Sequence, residues 1–283
     1  MNLLIIVPAK NEEKFLPYAL KSIVRNVNKL KYDINVTVIV VDDASTDRTP
    51  EIIRQFSHKY KFIKHVRINV TREYDSSIGL VRAIRAGLIY AEKVLNINWN
   101  YFMQVDADTV LLSNYIDKLL SVMTAYDHIG IAGGVSINAH QSNLHIHNTG
   151  MIIRKEAWTA CRGYKPLPSP DTIIQLCVLS KGWKVAIVKQ AKMYFLRPVR
   201  LNPYKVGLAD KITGVSFPYS IIKSTRLSIS NRSFSCIKDY FAGYISARRI
   251  NIECRDRITR YRRIIEKLRI KEMLHRYIAH VNI

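Results

Sequence analysis

Strand-length apolar runs alternating with helix-length amphipathic stretches restrict this chain more than any other feature. Residues 3–7 (LLIIV) form an unbroken aliphatic run, as expected of a strand covered on both faces. Residues 36–41, 62–68 and 101–105 repeat the strand length, with one helical pattern between each and the next. The first helical pattern puts Phe15, Leu16, Ala19, Leu20, Ile23, Val24 and Val27 on one stripe, with Asn11 expected as N-cap. The second is expected to start at an N-cap Thr49, with Pro50 at its first position and Glu51 in its first turn. The third follows Gly79 and turns Leu80, Val81, Ile84 and Leu88 inward. Such alternation predicts a doubly wound, parallel α/β sheet flanked by helices. Right-handed crossovers then bring loops 8–12, 42–47 and 106–108 to one edge, where sheets of this kind bind ligands.

The fourth strand runs into Asp106-Ala107-Asp108, two hard oxygen ligands at the point where the sheet opens to solvent. Alone, an Asp-x-Asp is more often a solvated turn than a metal site, and its weight here comes from the two polar loops expected beside it. Further on the order loosens. Ser113 is expected to cap a helix over 115–123, and strands are expected at 129–135, 150–154 and 185–188. A proline-rich loop at 166–170 leads to Asp171 and a helix ending at Gly182.

The net charge of +22 is unevenly spread: 23 Lys and Arg face 6 Asp and Glu from Lys181 onward, or +17, against +5 for residues 1–180. That asymmetry points to an anionic partner, the alternatives being nucleic acid, anionic lipid and a phosphorylated substrate. Cys161, Cys177, Cys236 and Cys254 have neither zinc-site nor disulfide-framework spacing, so a reducing, cytoplasmic setting is expected. No run approaches the roughly 18 apolar residues that a membrane-spanning helix needs.

Taken together and in chain order, IIVPAKNEEKFL, VIVVDDASTDRTPEII, QVDADT, NTGMIIRKEAW, the Gly163-Tyr164 turn and PDTIIQLCVLSKGWKVAIV resemble the family 2 glycosyltransferases of the GT-A fold. The resemblance spans residues 1–200. It implies a catalytic domain there, with a nucleotide-sugar-binding half (1–108) and an acceptor-binding half (109–200), followed by a basic, mainly helical extension (201–283). It also implies inverting transfer from a UDP- or GDP-sugar to a lipid-linked or glycan acceptor, with Mg²⁺ or Mn²⁺. On the family's pattern Asp106 and Asp108 hold the metal and diphosphate, Pro8, Ala9, Glu12 and Asp43 line the nucleoside, and Asp171 is the base for the acceptor hydroxyl.

Three departures stand out. Pro170 precedes Asp171 where the family usually has an acid, and the segment Ala83-Ile84-Arg85-Ala86-Gly87 carries its arginine one residue out of place. No histidine stands near Tyr194–Arg197, which leaves Arg197 or Arg200 as phosphate partners; His140, His145 and His147 are left out of the site.

Residues 255–276 hold nine Lys and Arg and three acids around a stripe of Ile258, Tyr261, Ile265 and Leu268. Two readings stay open. Either residues 255–278 lie on an anionic membrane surface, making the protein peripheral to the cytoplasmic membrane face, or the stripe packs inward and the arginines are its solvated face. A nucleotidyltransferase of sugar phosphates is the alternative enzyme, but residues 8–13 are not the Gly-rich loop it would show. No nucleic-acid partner is expected, because no nucleic-acid-binding motif accompanies the charge.

Overall fold

The computed structural model describes residues 1–69, 76–139, 146–198, 201–247 and 255–281. His140, His145 and Arg200 lie outside the described residues. The chain divides into two compact units: Met1–Pro166, Pro170–Val178 and Gly182–Val199 form one, and Leu167–Ser169, Leu179–Lys181 and Arg200–Ile283 the other.

In the first unit the four apolar runs become β1 (Asn2–Ala9), β2 (Asn35–Asp43), β3 (Ile63–Ile68) and β4 (Tyr101–Gln104). They pair in parallel in the order β3-β2-β1-β4. Between them run α1 (Leu16–Val27), α2 (Thr49–Lys59) and α3 (Ser76–Ile89). Central β1 buries Leu3 to Val7 almost completely, and Leu16, Leu20 and Ile23 of α1 join the same core. The register sets Ala9 opposite Asp42, so β1 and β2 end together, while β4 ends at Gln104 opposite Ile6, earlier along β1.

The second half continues with β5 (Thr109–Leu111), α4 (Tyr115–Ala125), β6 (Ile129–Ser136), β7 (Ile152–Arg154), α5 (Lys155–Ala160), α6 (Pro170–Ser180) and β8 (Lys184–Phe195). The sheet extends as β4-β7-β6-β8-β5, with β7 antiparallel to both β4 and β6. At 12 residues β8 far outruns the expected 185–188, and its end pairs with β5 immediately after Asp108.

Two expected caps do other work. Asn11 adopts a left-handed φ of 55° and α1 starts at Leu16, because the intervening loop is tied to the loop after β2. The Asn11 and Glu12 amides donate to Ser45 Oγ (3.0 Å) and Thr49 Oγ1 (2.7 Å), and Asn11 Oδ1 accepts from the Thr46 amide (2.8 Å). Thr49 thus serves a neighbouring loop rather than its own helix. A further correction concerns the cysteines: Cys161, just after α5, and Cys177 in α6 form a disulfide with Cα atoms 5.9 Å apart. The two lie 16 residues apart in sequence, a spacing that carried no sign of the pairing.

The second unit comprises α7 (Pro203–Ile212), α8 (Phe217–Asn231), α9 (Ser235–Ser246) and α10 (Arg255–Val281). The buried stripe of α10 is Ile258, Arg262 and Glu266, not the apolar series alone. Arg262 Nη2 (2.9 Å), Lys223 Nζ (2.7 Å) and the Tyr240 hydroxyl (2.8 Å) all donate to the buried Asp210 carboxylate. Glu266 accepts from the Ser216 amide and hydroxyl at 3.0 and 2.7 Å. Both open readings put these arginines on the outside, against lipid or against water; Arg262 departs from both because Asp210 supplies the countercharge. Among the described residues no helix is long and apolar enough to cross a membrane.

Burial pushes the Asp210 carboxyl up, but Lys223 and Arg262 outweigh it and hold the group below its ordinary range. The carboxylate's contribution is therefore present above about pH 4 and lost in acid. Replacing it strands two cations in the interior. Asp210→Asn should destabilise the second unit by about 3 kcal/mol, read as a lowered melting transition at pH 7.

Candidate active site

Each loop at the shared sheet edge is fixed by its own backbone chemistry. β1 runs through Pro8 to Ala9, and the turn through Asn11 presents Glu12. After β2, the two aspartates divide their roles. Asp42 is fully buried, accepts from Arg67 Nη1 (2.5 Å) and the Ser45 amide (2.9 Å), and holds its turn together. Asp43 lines a pocket, where both of its oxygens accept from Arg82 Nη2 at 2.7 and 2.6 Å. Arg85, the arginine singled out from the sequence, is exposed. Arg82, one turn earlier on α3, is the one turned to the site.

The pocket is lined by Pro8, Ala9, Lys10, Glu12, Asp43, Gly79, Leu80, Ala83, Asp106, Ala107, Asp108, Asn148 and Arg197. It therefore brings together Pro8, Ala9, Glu12, Asp43, Asp106 and Asp108 from the residues chosen by sequence. Asp171 stands in the first turn of α6, and its charge reaches both Asp106 and the Tyr164 hydroxyl.

Asp106 is held on three sides. Its Oδ1 accepts from Gln104 Nε2 (2.8 Å), its Oδ2 from Asn148 Nδ2 (3.4 Å), and its amide donates to Thr149 Oγ1 (2.8 Å). Thr149 in turn donates to Thr109 Oγ1 at 3.1 Å, which fixes the turn between β4 and β5. Asp108 accepts from Arg197 Nε at 2.9 Å, and the same guanidinium pairs with Glu12. Burial, then the negative charges of Asp108, Asp171 and Glu12, push the Asp106 carboxyl up to about 7 against the Gln104 hydrogen bond. Glu12 is likewise raised, by burial first, although Arg197 pulls the other way. Burial and then the charges of Asp171 and Asp106 raise the Tyr164 phenol well above its ordinary value. Its buried hydroxyl has no hydrogen-bond partner among the described residues.

Arg82, Gln104, Asn148, Thr149 and Tyr164 were not assigned from sequence. Gln104, Asn148, Thr149 and Tyr164 lie inside stretches quoted for the resemblance, and Arg82 is an arginine three residues from the one chosen. Only the three-dimensional pairing distinguishes them.

The model of the family described as glycosyl transferase family 2 matches residues 4–182, and the chain belongs to that family. A dolichyl-phosphate beta-glucosyltransferase, ALG5D of Trichomonas vaginalis, is 31% identical over 150 residues, covering 50% of this chain and 41% of that protein. The chain spans less than half the length of the curated relatives it matches. Among solved structures, the mannosyltransferase PcManGT of Pyrobaculum calidifontis, in complex with GDP-Man and Mn²⁺, superposes with a TM-score of 0.58 at 15% identity. That match covers 85% of this chain and 73% of the other. TarS 1–349 of S. aureus in complex with UDP-GlcNAc gives 0.51 at 16% identity, over 83% and 73%. At such identities the likeness speaks for the fold, which is GT-A-like.

Crowded carboxylates strain the ligand-free protein. A raised Asp106 keeps a proton from about pH 4 to about 7 that the unfolded chain has released, so stability falls as pH rises through that window. Asp106→Asn should remove the fall, melting a few degrees above wild type at pH 8 and converging with it near pH 4.

Proposed function

We propose that this family 2 glycosyltransferase transfers a sugar, with inversion, from a UDP- or GDP-sugar to a lipid-linked or glycan acceptor, using Mg²⁺ or Mn²⁺. The observation that carries the reading is the meeting of Glu12, Asp43, Asp106 and Asp108, from three separate loops, around one pocket. In this reading Asp43, held by Arg82, accepts hydrogen bonds from ring N–H groups of the base, each oxygen keeping a free lone pair. Pro8, Ala9 and Glu12 flank the nucleoside.

Among the described residues no three His, Cys, Asp or Glu side chains form a ready cage for a metal ion. The donor set fits a divalent cation nonetheless, because Mg²⁺ is commonly held by one or two carboxylates plus substrate phosphates. Asp106 and Asp108 would hold it, and when bound it neutralises the charge that develops on the departing diphosphate. Asp106 must give up its proton to do so. Asp171 takes the proton from the acceptor hydroxyl as the anomeric carbon is attacked from behind. An ionised lipid phosphate as acceptor would need no such base, so Asp171→Asn distinguishes the two acceptor chemistries.

The anionic-membrane proposal for residues 255–278 rests on the outward side of α10, since its inward side is buried. Arg260, Arg263 and Lys267 are exposed there beside Ile264 and Leu268. Arg263 also donates to the Gly214 carbonyl at 3.2 Å, so reversal of Arg260 and Lys267 to Glu is the test: it should strongly weaken low-salt binding to phosphatidylserine vesicles without lowering the melting temperature, and undiminished binding would refute it.

The donor reading is tested by release of UDP and GDP from their sugars with Mg²⁺ or Mn²⁺. Wild type should turn over only with metal, and Asp108→Ala should lose about 100-fold or more. Metal-independent turnover, or an unaffected Asp108→Ala, would remove it.

A further inference from the structure

Arg197 sits at the pocket rim, about half exposed, yet its guanidinium spans two acids from different loops. Nε donates to Asp108 Oδ2 at 2.9 Å, Nη2 pairs with Glu12, and the Phe15 ring lies 5.0 Å from the guanidinium carbon. The backbone brings Arg197 to these acids. Leu196 donates its amide to the Asp108 carbonyl at 2.9 Å, so the residue that follows is anchored beside the carboxylate it neutralises. Arginine remains charged at every accessible pH, and its planar fork suits phosphate as well as carboxylate. The other Glu12 oxygen, Oε2, is buried and has no hydrogen-bond partner among the described residues.

This arrangement conflicts with direct capture of a cation by Asp108, whose charge is already matched. Building on the donor reading above, we propose that Arg197 is an exchangeable countercharge. It holds Asp108 while the pocket is empty and releases it to the divalent cation when a nucleoside diphosphate arrives to take the guanidinium. Asp108 then has a cationic partner before and after the exchange, passing from guanidinium to metal, and the diphosphate is shared by metal and guanidinium. The consequence is thermodynamic coupling. Metal alone binds weakly because it must displace Arg197, nucleotide alone lacks half its countercharge, and the two together bind cooperatively. Arg197 is thus a residue that enforces joint binding, beyond adding positive charge to the site.

Isothermal titration of wild type, Arg197→Gln and Arg197→Lys with Mn²⁺ alone, with UDP or GDP alone, and with both provides the test. Wild type should show at least about tenfold coupling between Mn²⁺ and its preferred nucleotide. Arg197→Gln should bind Mn²⁺ alone about tenfold more tightly, bind nucleotide alone more weakly, and show reduced coupling, what remains coming from the metal's shared contact with the diphosphate. Arg197→Lys, which keeps the charge but not the fork, should fall between. The rim position leaves the fold of these variants intact, and the ligand-free melting temperature checks that. Unchanged or weaker Mn²⁺ binding by folded Arg197→Gln, or coupling equal to wild type, overturns the exchange and leaves the donor reading standing. A wild type that binds neither nucleotide with Mn²⁺ overturns the donor reading, and the exchange with it.

Discussion

The register of β1 between β2 and β4 is the constraint on which the rest depends. Parallel pairing puts Ala9 beside Asp42 and Ile6 beside Gln104, so three chain segments leave the same edge of the sheet. Because β1 is buried along its apolar length, a one-residue slip would misplace its side chains and is strongly opposed. The loops that leave this edge are then joined to each other rather than left to solvent. The Asn11, Glu12 and Glu13 amides all donate to side chains of the loop after β2, and that loop donates back through the Thr46 and Arg48 amides. A rigid floor results from bonds that neither loop could make alone.

On that floor stands a concentration of negative charge that folding alone would not favour. Burial first, and the neighbouring negative charges after it, raise the Asp106 and Glu12 carboxyls. Gln104, Asn148 and Arg197 relieve the crowding in part. Functional sites commonly keep such strain, because groups poised for a cation or a reacting proton cannot also be fully satisfied beforehand. The second unit solves the opposite problem. There a single buried carboxylate, Asp210, meets two cations and a phenol, and a helix that reads as a basic surface element is locked inward through Arg262.

Much of this was legible. The alternation of runs gave the parallel half of the sheet, and loops 8–12, 42–47 and 106–108 do line one pocket because crossover handedness leaves few alternatives. Local signals misled where tertiary partners competed for the same groups. Asn11 and Thr49 have the composition of helix caps, but their side chains found better use between loops. Arg85 matched a motif approximately, while Arg82 lies nearer the pocket end of α3 and reaches Asp43. Cys161 and Cys177 carry no spacing signature, since only the packing of α5 and α6 brings them together.

The sequence by itself determined the order of strands and helices, the burial of β1 and β2, the place of the acidic loops and the family. These are encoded in periodicity and in contiguous motifs, which survive without knowledge of long-range contacts. Tertiary structure decided which arginine on α3 meets the pocket and which face of α10 is hidden. It also decided that Arg197, 89 residues beyond Asp108, holds that carboxylate. Each of these is a choice among chemically equivalent donors and acceptors. Distance and burial make that choice, and neither is written in local sequence.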